Sequence, residues 1–382
     1  MKIIVHRGTH QIGGCATEIA TASSRIIIDF GSELEGNRRL EIEGVTSGKR
    51  NCNAVLFTHY HGDHIGLLES IDAAIPLYIG ELSLEVIKLQ NARQQIYERT
   101  VIDRIQSYST GQAMVFGDIK VTPYMVDHSA FDSHMFLIEA EGKKILHTGD
   151  FRTHGFRGKG LVPTLKKHVG EVDVLICEGT TVDRRVGKTM TETELFYEAK
   201  KMIAKNKYVF VVCASTNIDR IAAFCSAVPQ GKYCVCDGYQ QSILDVVREK
   251  SGKYNSLYMF SKMLTYGPHL DEKMKKRGFC MFIRPGNYLT DKVLAQFKEL
   301  EPLIVYSMWH GYLEKDASLV KRLSDYRIEE LHTSGHADTN AIERIMNEVK
   351  AKIVVPIHTN NPERFSSSVH VKVLEDEEEM QI

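Results

Sequence analysis

The stretch Leu56-Phe57-Thr58-His59-Tyr60-His61-Gly62-Asp63-His64-Ile65-Gly66 packs three imidazoles and a carboxylate into a single short loop. Imidazole nitrogen and carboxylate oxygen are donors that suit zinc and similar divalent ions. Side chains alternate along an extended strand end, so His59 and His61 can face one ion. Asp63 and His64 can then turn toward a neighbouring position, and the loop can serve two adjacent metals. With 16 histidines in 382 residues, a chance His-x-His-x-Asp-His is on the order of one in a thousand. A solvated histidine-rich turn is therefore the weaker explanation.

Further donors close apolar runs elsewhere. Asp29 follows Ile26-Ile27-Ile28, His128 lies in Val126-Asp127-His128-Ser129, Asp150 in His147-Thr148-Gly149-Asp150-Phe151, and His358 ends Val354-Val355-Pro356-Ile357. Taken singly, each reads as a cap or turn residue. Together they fit a site whose ligands gather at the mouths of strands.

Those mouths require a particular scaffold. Thr17–Ala20 and Arg25–Ile28 read as a hairpin across Ser23-Ser24, and 52–58 as a short buried strand. Helices are expected over 65–74 and 81–98, strands over 120–126 and 173–177, and a second hairpin at 134–147 across Glu141-Gly142. From about Thr191 the rhythm becomes regular alternation of helix and strand, which implies a parallel sheet covered by helices. Near the end a strand at 328–331, a helix at 338–349 and a strand at 352–357 return to the first pattern. The expectation is one discontinuous domain, 1–182 and 326–382, interrupted by an inserted domain at 183–325.

Composition limits the function classes. Hydrophobic residues make up 43% and charged residues 25%, an ordinary globular balance. No apolar run is long enough to span a bilayer, and the start reads as a strand rather than a signal peptide, so no membrane partner is expected and the location is cytoplasmic. The eight cysteines form no CxxC pair and several sit in apolar runs, which suits buried thiols in a reducing compartment. A net charge of -1 announces no polyanion partner. Basic clusters at 166–168, at Arg184-Arg185 with Lys188, and at 275–277 read as solvated faces, and the acidic run Glu375–Glu379 as a frayed end.

The metal loop resembles that of the metallo-β-lactamase superfamily. Glu178 in Leu175-Ile176-Cys177-Glu178-Gly179-Thr180, His336 in Ser334-Gly335-His336-Ala337 and His358 in Pro356-Ile357-His358-Thr359 match the three added motifs of its β-CASP branch. Gly8-Thr9-His10-Gln11-Ile12-Gly13-Gly14, His147–Phe151 and Tyr306-Ser307-Met308-Trp309 narrow the resemblance to the ribonuclease J group. It implies an α/β fold, the metallo-β-lactamase αββα sandwich with an inserted β-CASP domain. It further implies two zinc ions, with manganese as the alternative, one on His59, His61 and His128, the other on Asp63, His64 and His358. Asp150 would bridge them and Asp29 would support the loop from behind. Asp63, Glu178 and His336 would be catalytic, with Glu178 orienting His336 to protonate the leaving group. Two metals about 3.5–4 Å apart polarise a phosphodiester and activate water, and an imidazole held by a carboxylate can supply the proton.

Glu178 and His358 point, by family analogy, to RNA rather than DNA. The implied activity is 5′-to-3′ exonucleolytic, with endonucleolytic cleavage alongside. His332 and Ser334 would belong to a pocket for a terminal phosphate. Ser215, Asn217 and Arg220 offer a similar site, with a helix N-cap as an equally good explanation. Trp309 and Tyr312 could stack a base, although a lone tryptophan more often lies in a core. The 382 residues are fewer than in typical members, so their C-terminal extension is not expected here, which bears on whether the chain forms their homodimer. The competing functions are a DNA nuclease, a small-molecule metallo-hydrolase of the same fold, and a non-catalytic RNA-binding scaffold.

Overall fold

The computed structural model describes residues 1–382 apart from 37, 184–188, 253–254 and 366–369. The basic cluster Arg184-Arg185 with Lys188 lies outside the described residues. The chain forms two compact units, the first of residues 1–153, 157–187 and 335–382, the second of 154–156 and 188–334.

The first unit is built on two seven-stranded sheets. One runs in the order Glu379–Gln381, Lys2–Arg7, Ala16–Ala20, Arg25–Ile28, Ala54–Leu56, Leu77–Gly80, Ile105–Tyr108. The other runs His370–Val371, Ile353–Ile357, Val174–Glu178, Lys143–His147, His134–Ala140, Ile119–Met125, Met114–Phe116. The period of two along each strand decides what lies between them. Ile3, Val5, Ile19, Ile26 and Ile28 of the first sheet meet Val121, Phe136, Ile138, Ile145, Val174 and Ile176 of the second. The alternate residues Leu137, Leu146, Leu175 and Val354 face the other way and are covered by helix Thr339–Val349 and by Leu161, Leu165 and Val169. That helix presents Ala341, Ile342, Ile345, Met346 and Val349 on one stripe, the spacing a 3.6-residue turn requires. Asp338 starts it by accepting from the Ala341 N–H at 2.9 Å, a cap worth about 1 kcal/mol. This is the αββα arrangement.

Three local expectations are corrected here. The helix expected over 65–74 is a short turn of helix at Gly62–Ile65 followed by a 3-10 turn at Leu68–Ser70. The next helix stops at Gln94, where Gln95 takes a left-handed backbone with φ 51°. The acidic tail does not fray: Glu379–Gln381 pairs antiparallel with Lys2–Ile4. Met380 enters the core, Lys2 Nζ bonds Glu379 at 2.9 Å, and Glu377 lies 2.7 Å from His6 Nδ1.

The second unit is a six-stranded parallel sheet in the order Met263–Thr265, Tyr233–Cys236, Phe279–Ile283, Tyr208–Val212, Leu303–Tyr306, Arg327–Glu330. The strand expected at 328–331 therefore pairs with Leu303–Tyr306 in this sheet rather than returning to the first unit. Phe210, Phe279, Met281, Phe297 and Ile304 fill its core. Capping boxes at Thr191 with Glu194 and at Asp237 with Gln240 start two of its helices. All eight cysteines of the chain are buried and free.

Candidate metal centre

Strand direction brings the candidate ligands of the first unit to one edge. Lys143–His147, Val174–Glu178 and Ile353–Ile357 are parallel neighbours, so the residues that follow them, Asp150 and His358 among them, emerge side by side. Arg25–Ile28 and Ala54–Leu56 are likewise parallel, which sets Asp29 beside the histidine loop. Asp29 and His358 both have positive φ, 61° and 53°, a strained backbone for residues with a Cβ. Gly31 makes the close approach possible: a Cβ there would lie 1.7 Å from the Asp63 carbonyl oxygen.

The structure gathers His59, His61, Asp63, His64, His128, Asp150, His336 and His358 around a single carboxylate oxygen, Asp150 Oδ2. His64 Nε2 lies 3.2 Å from it, and His59 Nε2, His128 Nε2 and His358 Nε2 each 3.8 Å. His61 Nδ1 faces His128 Nε2 at 3.3 Å, and His358 Nε2 faces Asp63 Oδ2 at 3.2 Å. The donors fall into overlapping sets: His59, His61 and His128; His59, His64 and Asp150; Asp150, Glu178, His336 and His358; and Cys15, His64 and His358. Behind them, Asp29 Oδ2 lies 2.8 Å from His64 Nδ1, and Asp29 Oδ1 accepts from the Thr58 N–H at 2.7 Å. His128 Nδ1 is 2.6 Å from the Gly335 carbonyl. The contacts at His64 and His128 occupy the ring nitrogen that points away from the cluster and aim the other one inward.

The donor set fits a divalent metal centre. His59 Nε2, His64 Nε2 and Asp150 Oδ2 are buried atoms without a hydrogen-bond partner, a costly arrangement unless something else satisfies them. Burial holds His59 and His128 well below the ordinary imidazole range and His61 at about 4, so their lone pairs are available at neutral pH. Burial would also depress His64, but the carboxylates of Asp150, Asp29 and Asp63 outweigh it and raise that group. At His336, burial is likewise outweighed by Glu178 and Asp150, and the imidazole is raised to about 9. Its Nδ1 lies 3.0 Å from Glu178 Oε2. Glu178 is fully buried at the end of its strand, and its Oε1 accepts from the Phe151 N–H at 2.8 Å.

Residues 16–189 match the family described as the metallo-beta-lactamase superfamily, and residues 325–365 match the Zn-dependent metallo-hydrolase RNA specificity domain. The chain thus carries a metallo-β-lactamase domain together with an RNA-specificity domain of the metallo-hydrolase type. Ribonuclease J of Mycoplasma pneumoniae is 23% identical over 397 residues, covering 94% of this chain and 67% of that protein. Ribonuclease J of Helicobacter pylori is 23% identical over 407 residues, covering 94% of this chain and 56% of that one. The chain thus spans about 56–67% of the length of these relatives. A crystal structure from Enterococcus faecalis V583, described as a protein of unknown function, superposes with a TM-score of 0.77 at 19% identity, covering 99% of both chains. That likeness concerns the fold alone.

Around this metallo-β-lactamase centre two threonines escaped the sequence reading. Thr58 Oγ1 lies 2.9 Å from Asp29 Oδ2 and 3.0 Å from His59 Nδ1, and Thr180 Oγ1 contacts both Glu178 and His358. Threonine beside a ligand is too common to carry a signal alone, though both stand within two residues of a motif position. The candidates in the second unit fare differently. Arg220, expected to face a phosphate, is fully buried, and all three of its nitrogens are bonded. Nε and Nη2 donate to Glu192 at 3.2 and 3.0 Å, Nη1 donates to Ser307 Oγ at 2.7 Å, and Nη2 also donates to the Thr333 carbonyl at 3.1 Å. Asn217 is a helix N-cap that accepts from the Arg220 N–H at 3.4 Å. His332 Nδ1 lies 3.2 Å from Arg220 Nη1, and the Ser334 carbonyl 2.7 Å from His154 Nε2. Ser215 is buried with its hydroxyl unpaired. Trp309 is 42% exposed and meets Tyr312 edge-on, so it is not a core residue.

Proposed function

We propose that this protein is a metal-dependent ribonuclease that hydrolyses RNA phosphodiester bonds at the centre described above, acting as a 5′-to-3′ exonuclease with endonuclease capacity. The observation that carries the reading is the convergence of seven ligand side chains with Asp150 at their centre, three of them, His59, His64 and Asp150, ending in buried atoms that no hydrogen bond satisfies. The RNA specificity match over residues 325–365 supports RNA over other substrates of the fold. We assign one zinc to His59, His61 and His128 and a second to Asp63, His64 and His358, with Asp150 shared and manganese as the alternative ion. Bound there, the two cations would polarise the phosphodiester and ready a water for in-line attack.

The chain's own residues do the rest. Asp29 and Thr58 hold the histidine loop in register. Glu178 keeps Nδ1 of His336 protonated and fixes the ring, leaving proton delivery to the departing oxygen to Nε2. For the RNA end we assign His332, Ser334 and Ser215, with Asn217 and Arg220 in a supporting role through cap and ion pair. The free, buried cysteines favour the reducing cytoplasm, no described helix is long and apolar enough to cross a membrane, and a homodimer is compatible with the family.

The test uses purified protein with end-labelled 5′-monophosphate RNA and matching DNA, beside Asp63→Ala and His336→Ala. RNA should be cut and DNA spared. Both substitutions should lower the rate at least about 100-fold, with metal content reduced in Asp63→Ala and retained in His336→Ala. Intact cleavage in Asp63→Ala would remove the centre from the reaction. Metal loss from His336→Ala would make that histidine a structural prop.

A further inference from the structure

We propose that Thr180 is a positioning residue that couples the proton-donating pair to one metal ligand. This rests on the two-cation reading of the centre and adds to it a connection among its parts.

Thr180 is buried, and its hydroxyl lies 2.8 Å from Glu178 Oε2 and 2.7 Å from His358 Nδ1. A hydroxyl has one proton to give. Facing a carboxylate, it donates to Glu178 and must accept from His358, which therefore carries its proton on Nδ1. Nε2 of His358 is then the nitrogen with the lone pair, and it points at Asp63 Oδ2, 3.2 Å away, and at Asp150 Oδ2, 3.8 Å away. One contact thus fixes both the tautomer and the ring orientation that a ligand needs.

The same oxygen, Glu178 Oε2, also faces His336 Nδ1 at 3.0 Å, while Glu178 Oε1 accepts from the Phe151 and Ala337 N–H groups at 2.8 and 3.4 Å. An unbroken chain of hydrogen bonds therefore runs from His358 through Thr180 and Glu178 to His336. Its placement follows from the sheet. Glu178 is in register with Ile357 on the neighbouring parallel strand, and Gly179 donates to the Ile357 carbonyl at 3.0 Å, which brings the residues after each strand end together. Across the centre, Thr58 stands between Asp29 and His59 Nδ1 in the same way. Each side of the centre thus has a threonine between a buried carboxylate and a ligand imidazole, but only the carboxylate beside Thr180 also holds the proton donor.

The experiment compares full-length wild type, Thr180→Val, Thr180→Ala and Thr180→Ser, stripped of metal and titrated with Zn2+ by calorimetry, with melting curves of the metal-free forms as a check on folding. Wild type should take up two equivalents. Thr180→Val, which keeps the shape but loses the hydroxyl, should bind one equivalent about 10–100-fold more weakly and leave the other unchanged. Its kcat on RNA should fall while KM holds. Thr180→Ser should restore the weakened equivalent to within about threefold, since it restores the hydroxyl. Thr180→Ala carries the same expectation and replaces the valine variant if that one does not fold. Wild-type affinity for both equivalents in the variant lacking the hydroxyl overturns the proposal, as does failure of serine to rescue. A wild type that takes up no metal would instead sink the underlying reading, so the two failures are distinguishable.

Discussion

The two units handle buried polar groups in opposite ways. In the second unit the ion pair of Arg220 and Glu192 is sealed from water, and every guanidinium nitrogen is satisfied by Glu192, Ser307, His332 or Thr333. Asp237 is similarly enclosed by Arg284 and Asn287. In the first unit, comparable burial leaves His59 Nε2, His64 Nε2 and Asp150 Oδ2 unmatched. Both interiors bear the desolvation of charged groups. One recovers it internally and so gains a defined shape, whereas the other holds donors that point at one another's lone pairs and awaits a cation. A buried polar cluster is evidence of a site only where its accounts of donors and acceptors fail to close.

The sharpest way to break this contrast is at Arg220. If the second unit is self-satisfied, Arg220→Met leaves Glu192 as an uncompensated buried charge and should destabilise the protein by about 3–5 kcal/mol, read as a lowered urea midpoint. Converting both partners, Arg220→Met with Glu192→Leu, should recover most of that loss, because no charge remains stranded. If the double variant is as unstable as the single one, the pair does more than neutralise itself and the closed-interior description fails.

The same distinction explains what the sequence disclosed. The ligand loop was legible because six consecutive positions carry the donors and their spacing alone restricts which can share an ion. The parallel sheet was legible from the rhythm of strands and helices, and the sandwich only through the resemblance that the ligand loop carries. Asp29 and Thr58 show the limit. Asp29 is read as a ligand-supporting residue only by resemblance, and Thr58 not at all, since their roles exist through contacts between strands 29 residues apart. Of the two readings left open at Arg220, phosphate site or capped helix start, the sequence could not choose, because only the folded position of Glu192, 28 residues earlier, occupies the guanidinium. The helix expected at 65–74 failed because the loop's own geometry takes over, Phe30 donating to the His64 carbonyl at 2.7 Å and Leu67 to the Phe30 carbonyl at 3.0 Å. The run of acids hid the tail strand: Glu379 meets Lys2 and Glu377 meets His6 on the first strand, whereas Glu378 meets Lys372.

A smaller effect tests the open side of the comparison. Asp29→Asn keeps the shape but removes the charge that holds His64 Nδ1 at 2.8 Å. Metal affinity should fall about 10–100-fold, a loss that zinc competition with a chelator measures directly, and thermal stability of the metal-free form should change far less. Should affinity be untouched while the metal-free protein unfolds more readily, Asp29 belongs to the fold rather than to the centre.

The weakest expected effect decides whether the second unit is as closed as it looks. Ser215 is its one buried hydroxyl without a partner among the described residues and, with Gln240 Nε2, an exception to the closed pattern. Removing an unmatched buried hydroxyl takes away a desolvation penalty, so Ser215→Ala should leave stability unchanged or raise it by up to about 1 kcal/mol. If KM for 5′-monophosphate RNA then rises while that for 5′-hydroxyl RNA does not, the hydroxyl meets a terminal phosphate and the second unit carries a small open site of its own. If both KM values stay where they were, Ser215 is an unmatched group that the packing tolerates, as it tolerates Gln240 Nε2.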